Sequence, residues 1–252
     1  MPARPLPRLA AAATFALAAA AAPASAQVAV TYQGSSTNAT AFGYYVGPQN
    51  GKVSYVAPGT STVQTLGVQL FCVDFLDHIT SGQAYTANVS ALTTGSSTAP
   101  TRHPGSLMQY REAAFLADQF AAFTTAPDRD VKFGAIQGAI WRLFGTGSTT
   151  LADPAGAAGT STIGYWTTLA TNFANSAQYG TYDYARFAVL TDARVSGTGA
   201  QRYGDAYAQE FLATLVPATT TTPEPASLAL TAAGLLGLGT LAARRRAAEV
   251  SA

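Results

Sequence analysis

Cys72 is the single cysteine in a chain of 252 residues. It cannot close an intrachain disulfide. That leaves an inert buried thiol, an intermolecular bridge, a catalytic nucleophile, or a different covalent bond. Gln137 is the second residue out of place. It stands in the oily stretch GAIQGAIWRL, residues 134–143. At about 100° per residue on a helix, it falls in the arc of Phe133, Ile136, Ile140, Trp141 and Phe144, with Ala135, Gly138 and Arg142 opposite. A buried amide without partners costs about 1–3 kcal/mol. A thiol and a carboxamide held in contact can react: the sulfur attacks the amide carbon and ammonia leaves, provided that the pair is fixed in place and the developing oxyanion meets donors. The pattern alone leaves three readings of Gln137: a hydrogen bond to a neighbouring backbone, a place at the edge of the apolar stripe, or a reactant consumed by Cys72.

Rigid elements must hold such a pair. Residues 27–70 carry short β-type runs, VAVTYQG, FGYYVGP and KVSYVAP, punctuated by Gly, Pro and Asn. GVQLFCVDFLDHI reads as a further strand, with Phe71, Val73 and Phe75 on one face and Leu70, Cys72 and Asp74 on the other. SGQAYTANV continues the β character. Residues 106–123 read as a helix, with Ser106 and Gln109 as a capping box. A second helix is expected over about 131–144, capped by Asp128 or Asp130, and a third in TIGYWTTLATNFANSAQ. DYARFAVLTD and AQEFLATLVP return to strands. This order predicts an α+β fold: an antiparallel β-sandwich or barrel-like domain with an inserted helical lobe.

The two reactive residues sit in motifs. Phe71-Cys72-Val73 and Ile136-Gln137-Gly138-Ala139-Ile140-Trp141 resemble the paired signatures of bacterial thioester domains. Those signatures are an aromatic or leucine residue, Cys and an apolar residue, then apolar-Gln-x-Ala-apolar-Trp. The likeness spans residues 68–144 and matches every defined position. It implies an internal thioester between Cys72 and Gln137, supported by Phe71, Val73, Ala139, Ile140 and Trp141. Trp141 would cover the bond, and Gly138 and Ala139 would admit a neighbouring backbone. The stored acyl group would pass once to an amine or hydroxyl on a surface target, such as a lysine amine or a polysaccharide, in the manner of an adhesin. That is a single-use tether, not an enzyme, and it needs no cofactor. The family is best known from Gram-positive surface proteins.

Other chemistries are weaker. Cys72 with His78 or His103 would make a thiol hydrolase, but it leaves Gln137 without a role. Asp74, Asp77 and His78 lie close to Cys72 as bases for a hydroxyl acceptor; as metal ligands they lack a second cluster, so no metal is expected. The main alternative is a non-reactive structural surface or matrix protein of the same fold.

The two ends address the chain. Arg4 and Arg8 precede an apolar run at 9–22 and the small residues Ala24, Ser25 and Ala26, the layout of a signal peptide over 1–26 cut by signal peptidase. At the other end, Pro223-Glu224-Pro225, an uncharged apolar run at 226–243 and Arg244, Arg245 and Arg246 resemble the PEP-CTERM sorting signal of Gram-negative bacteria, residues 223–246. The run is just long enough to span a bilayer, and the arginines stay cytoplasmic. The resemblance implies anchoring in the inner membrane, processing by an exosortase, and a final place at the cell surface or outside it. The expected division is then a thioester-type domain at 27–215, a Thr-rich linker at 216–222, the sorting signal, and a tail at 247–252. Without the charges of both ends the domain is slightly acidic, so nothing basic remains to bind nucleic acid. A reporter fused after Ala252 should behave as cytoplasmic in cells without exosortase. Periplasmic activity there would refute the assignment.

Overall fold

The computed structural model describes residues 27–56, 61–145, 151–195 and 207–215. The expected signal peptide, linker, sorting signal with its span at 226–243, and tail lie outside these residues. Among the described residues, no helix is long and apolar enough to cross a membrane.

Six strands close an antiparallel barrel. They are β1 (Gln27–Ser35), β4 (Gln49–Val56), β5 (Val63–Cys72), β6 (Ala84–Ala91), β7 (Phe187–Asp192) and β8 (Phe211–Leu215), in the order β1-β4-β5-β8-β7-β6. Alternation sends Val30, Tyr32, Val53, Val68 and Leu70 into the core. Side chains fill the interior, as the small bore of such a barrel requires. Tyr32 stacks on Phe211 at 5.9 Å and donates its hydroxyl to Gln49 Oε1 at 2.9 Å. A closed barrel is one of the two forms the sequence allowed.

A small hairpin, β2 (Thr40–Ala41) with β3 (Tyr44–Tyr45), precedes β4. Its two central residues, Phe42 and Gly43, both have positive φ, 58° and 82°. That is the hairpin geometry matching strand twist. Gly43 adopts it freely; Phe42 does so against its own side chain.

The helical lobe is inserted between β6 and β7. It contains α1 (Leu107–Gln119) followed by a 3₁₀ turn at Phe120–Phe123, then α2 (Arg129–Leu143), α3 (Ile163–Ala174) and the short α4 (Ala177–Thr181). Three local expectations need correction. Ser106 precedes α1 without a side-chain cap bond, so the capping box does not form. Asp128 precedes α2 likewise; its carboxylate pairs with Lys132 at 3.3 Å instead. The supposed wet side of α2 is not wet. Every residue from Phe133 to Trp141 is buried, Ala135 and Gly138 included. The helix is enclosed by α1, α3, β2 and β5, and a helix enclosed on all sides has no polar face to reveal. Gly138 matters here because a Cβ would stand 2.8 Å from Ile163 Cδ1, so it admits a side chain of α3 rather than a backbone.

Gly47, just before β4, has φ +88°, and a Cβ there would lie 2.5 Å from the Phe133 ring. Gly47→Ala should therefore lower the unfolding free energy by about 2–4 kcal/mol, combining left-handed strain with overpacking. Urea unfolding of the two proteins measures this. An unchanged midpoint would mean that Phe133 swings aside at no cost.

Candidate functional site

The polypeptide reaches the site at the last residue of β5. Cys72 pairs with Phe211 of β8, and the chain then leaves the barrel. The expected alternation beyond residue 72 therefore stops: Phe71, Cys72, Val73 and Asp74 are all buried, whichever way they point. Phe71 stacks on Phe120 at 5.6 Å, fixing the strand end against the helical lobe.

Two glutamines converge on Cys72. Gln137, fully buried on α2, donates Nε2 to the main-chain carbonyl of Cys72 at 2.7 Å. Its Oε1 has no hydrogen-bond partner. Gln209, two residues before β8, places Nε2 2.6 Å from Cys72 Sγ and 3.1 Å from the Asp74 carbonyl oxygen. Trp141, one turn after Gln137, donates its indole Nε1–H to the same sulfur at 3.3 Å. The thiol points at the Asp74 carbonyl oxygen, 2.6 Å away. An N–H···O bond is about 2.7–3.2 Å long and sulfur is larger than oxygen, so 3.3 Å is a hydrogen bond to sulfur and 2.6 Å is a closer approach than one. Burial pushes the Cys72 thiol well above its ordinary value, and the Asp74 charge adds to this. The resting nucleophile is a neutral thiol.

The remaining motif residues build the surroundings. Ile136, Ala139 and Ile140 are core with no exposure. Trp141 is covered by Phe42 and by Phe75, whose ring centroid lies 4.8 Å away. Outside them Tyr44 packs on Phe75 and stacks on His78. His78 is thus a surface residue. His103 lies 4.9 Å from the Phe144 ring, and burial with the nearby Arg102 pushes its imidazole down to about 4.

What holds the two chain segments together is a buried polar cluster. Arg102, without exposure, pairs with Asp74 at 3.3 Å and with Asp77, and donates to the Ala208 carbonyl at 2.7 Å. Glu210 accepts from the Arg102 amide at 2.8 Å, from the Tyr110 hydroxyl at 2.6 Å and from Thr191. Its own amide donates to Asp74 Oδ2 at 2.7 Å, while the Val73 amide donates to the Glu210 carbonyl at 3.1 Å. The turn after Cys72 is thereby tied to the segment carrying Gln209. Asp74 and Asp77 are engaged by Arg102; among the described residues, no group of His, Cys, Asp or Glu comes together to hold a metal ion. Gln209, Arg102 and Glu210 went unnoticed in the sequence. The available signal was polar residues in apolar settings: Glu210 immediately before Phe211 and Leu212, in a chain only 11% charged.

No family model, curated protein or solved structure matches the chain.

The cluster makes stability depend on pH. Burial raises Asp74 from 3.8 to about 8, with the Arg102 charge opposing, and burial raises Glu210 as well. The folded protein keeps protons there that the unfolded chain releases, so this stability is complete below about 4 and is lost as pH climbs to about 8. His103, lowered from 6.5 to about 4, works in the opposite sense, losing stability as pH falls below 6.5. The two effects offset each other between about 4 and 6.5. Melting temperature should therefore drop most steeply between about pH 6.5 and 8. A melting temperature that rises across that interval would contradict the assignment.

Proposed function

We propose that Cys72 and Gln137 close an internal thioester and that the chain is an exported surface or matrix protein using it for covalent capture. The observation that carries this is the fully buried Gln137 carboxamide lying on Cys72: its Nε2 is 2.7 Å from the Cys72 carbonyl oxygen and its Oε1 has no hydrogen-bond partner. Gln209 meets the sulfur with its nitrogen, as a donor, and shares that amide with the Asp74 carbonyl oxygen. The glutamine singled out by its motif undergoes the reaction, and the one beside β8 supports the sulfur.

The step needs no external base. The C–S bond forms, the C–N bond of the Gln137 carboxamide breaks, and the thiol proton goes to the departing nitrogen to give ammonia. The sulfur gives up that proton as it attacks, since the thiolate is the nucleophilic form. Burial then keeps water from the product. A surface amine or hydroxyl takes the acyl group later and releases Cys72. Each molecule acts once, which is a tether rather than a catalyst.

The targeting reading accompanies this. Signal peptidase would remove 1–26, the sorting signal would hold the chain in the inner membrane, and exosortase would deliver it to the cell surface. A second reading rests on the small exposure of Cys72, 8%, under Trp141, Phe42 and Phe75. There the bond is a sealed cross-link that steadies the domain and meets no target.

Intact mass of the purified protein separates these readings. The thioester removes one ammonia, and Gln137→Ala should restore the full mass, adjusted for the substitution, and a titratable thiol. Methylamine should add its mass to the peptide holding Gln137 and free one thiol in equal amount. Mass added at Gln209 would reverse the pairing. A cross-link untouched by methylamine would leave the sealed form, and full mass in the wild type would leave the non-reactive surface protein.

A further inference from the structure

We propose that the Trp141 indole N–H is a catalytic donor to the sulfur, stabilising the charge that Cys72 acquires when the acyl group leaves it. The inference rests on the thioester reading above. When a nucleophile attacks, its bond to the Gln137 carbon forms and the C–S bond breaks. The electron pair stays on Sγ, and the nucleophile's proton follows to give the thiol.

The surroundings of the sulfur are unfavourable to that charge. The Asp74 carbonyl oxygen faces Sγ, and the site is buried. Two side-chain N–H groups reach the sulfur among its described contacts, from Gln209 and Trp141. Gln209 divides its amide between the sulfur and the Asp74 carbonyl oxygen, while the Trp141 N–H is directed at the sulfur. Indole is a donor only and cannot act as a base here. Its direction is set twice. Gln137, four residues earlier on α2, meets Cys72 from the same helix face as Trp141, so acyl group and donor reach the residue one turn apart. Phe42 and Phe75 fix the ring from outside. A phenyl ring would cover the bond equally well; the N–H is what covering does not require.

Trp141→Phe separates donation from shielding, because the two roles predict opposite signs. The donor role predicts thiol release by methylamine about tenfold slower in a folded variant, the order expected for one hydrogen bond to a developing charge. It also predicts a higher thiol pKa after release, by about one unit. Unchanged or faster release would overturn the proposal. Should the variant not fold, replacing both tryptophans with 5-fluorotryptophan keeps the shape and strengthens the donor. Release should then quicken, and an unchanged or slower rate would overturn the proposal. Were the wild type to show its full mass, the thioester reading would fail. The thiol titration would still judge the donor: a raised pKa in Trp141→Phe supports it and an equal one refutes it.

Discussion

A guanidinium with no solvent exposure depends on the polar groups packed against it. Arg102 lies between the carboxyl groups of Asp74 and Asp77, with the Ala208 carbonyl taking a further N–H and its own amide bonded to Glu210. Taking such ions out of water costs several kcal/mol each, so the cluster adds little net stability. What it contributes is position. Its members come from the turn after β5, the loop before α1, and the lead into β8, three segments far apart in sequence. If any one moves, a buried charge loses its partner, so they keep a common register. Cys72 and Gln209 ride on two of these segments and inherit that register.

The helical lobe supplies a second constraint from the opposite side. Helix α2 is enclosed all round, which fixes its rotation and its height against the end of β5. Gln137 and Trp141 then meet Cys72 with the separation of one helical turn. Gly138, between them, is what lets Ile163 close over the helix. Barrel and lobe thus approach the sulfur from different directions, and neither alone would orient it.

The sequence carried the elements and half of the site. Period-two runs marked the barrel strands, and the apolar periodicity of 106–144 marked two helices, because each pattern reflects one local geometry. The single cysteine and the embedded Gln137 were legible for the same reason: each breaks its local pattern. Gln209 was not. It stands at a strand's threshold, where an amide is ordinary, and its meaning comes only from the pairing of β8 with β5 across 137 residues of chain. Arg102 and Glu210 were silent likewise, since no local rule indicates that a loop arginine will be sealed by carboxylates from elsewhere. The two-sided reading of α2 failed because periodicity presumes a solvent side, and tertiary packing removed it.

Gln137 lies midway along an enclosed helix, and this bears on mechanical load. Under the thioester proposal, a target joined to its side chain would pull on residue 137, while an anchor beyond residue 215 would pull on β8. Tension between them would cross α2 and the centre of the domain, so the packing of barrel against lobe would carry it. Attachment through residue 209 would instead confine the load to a few residues of β8.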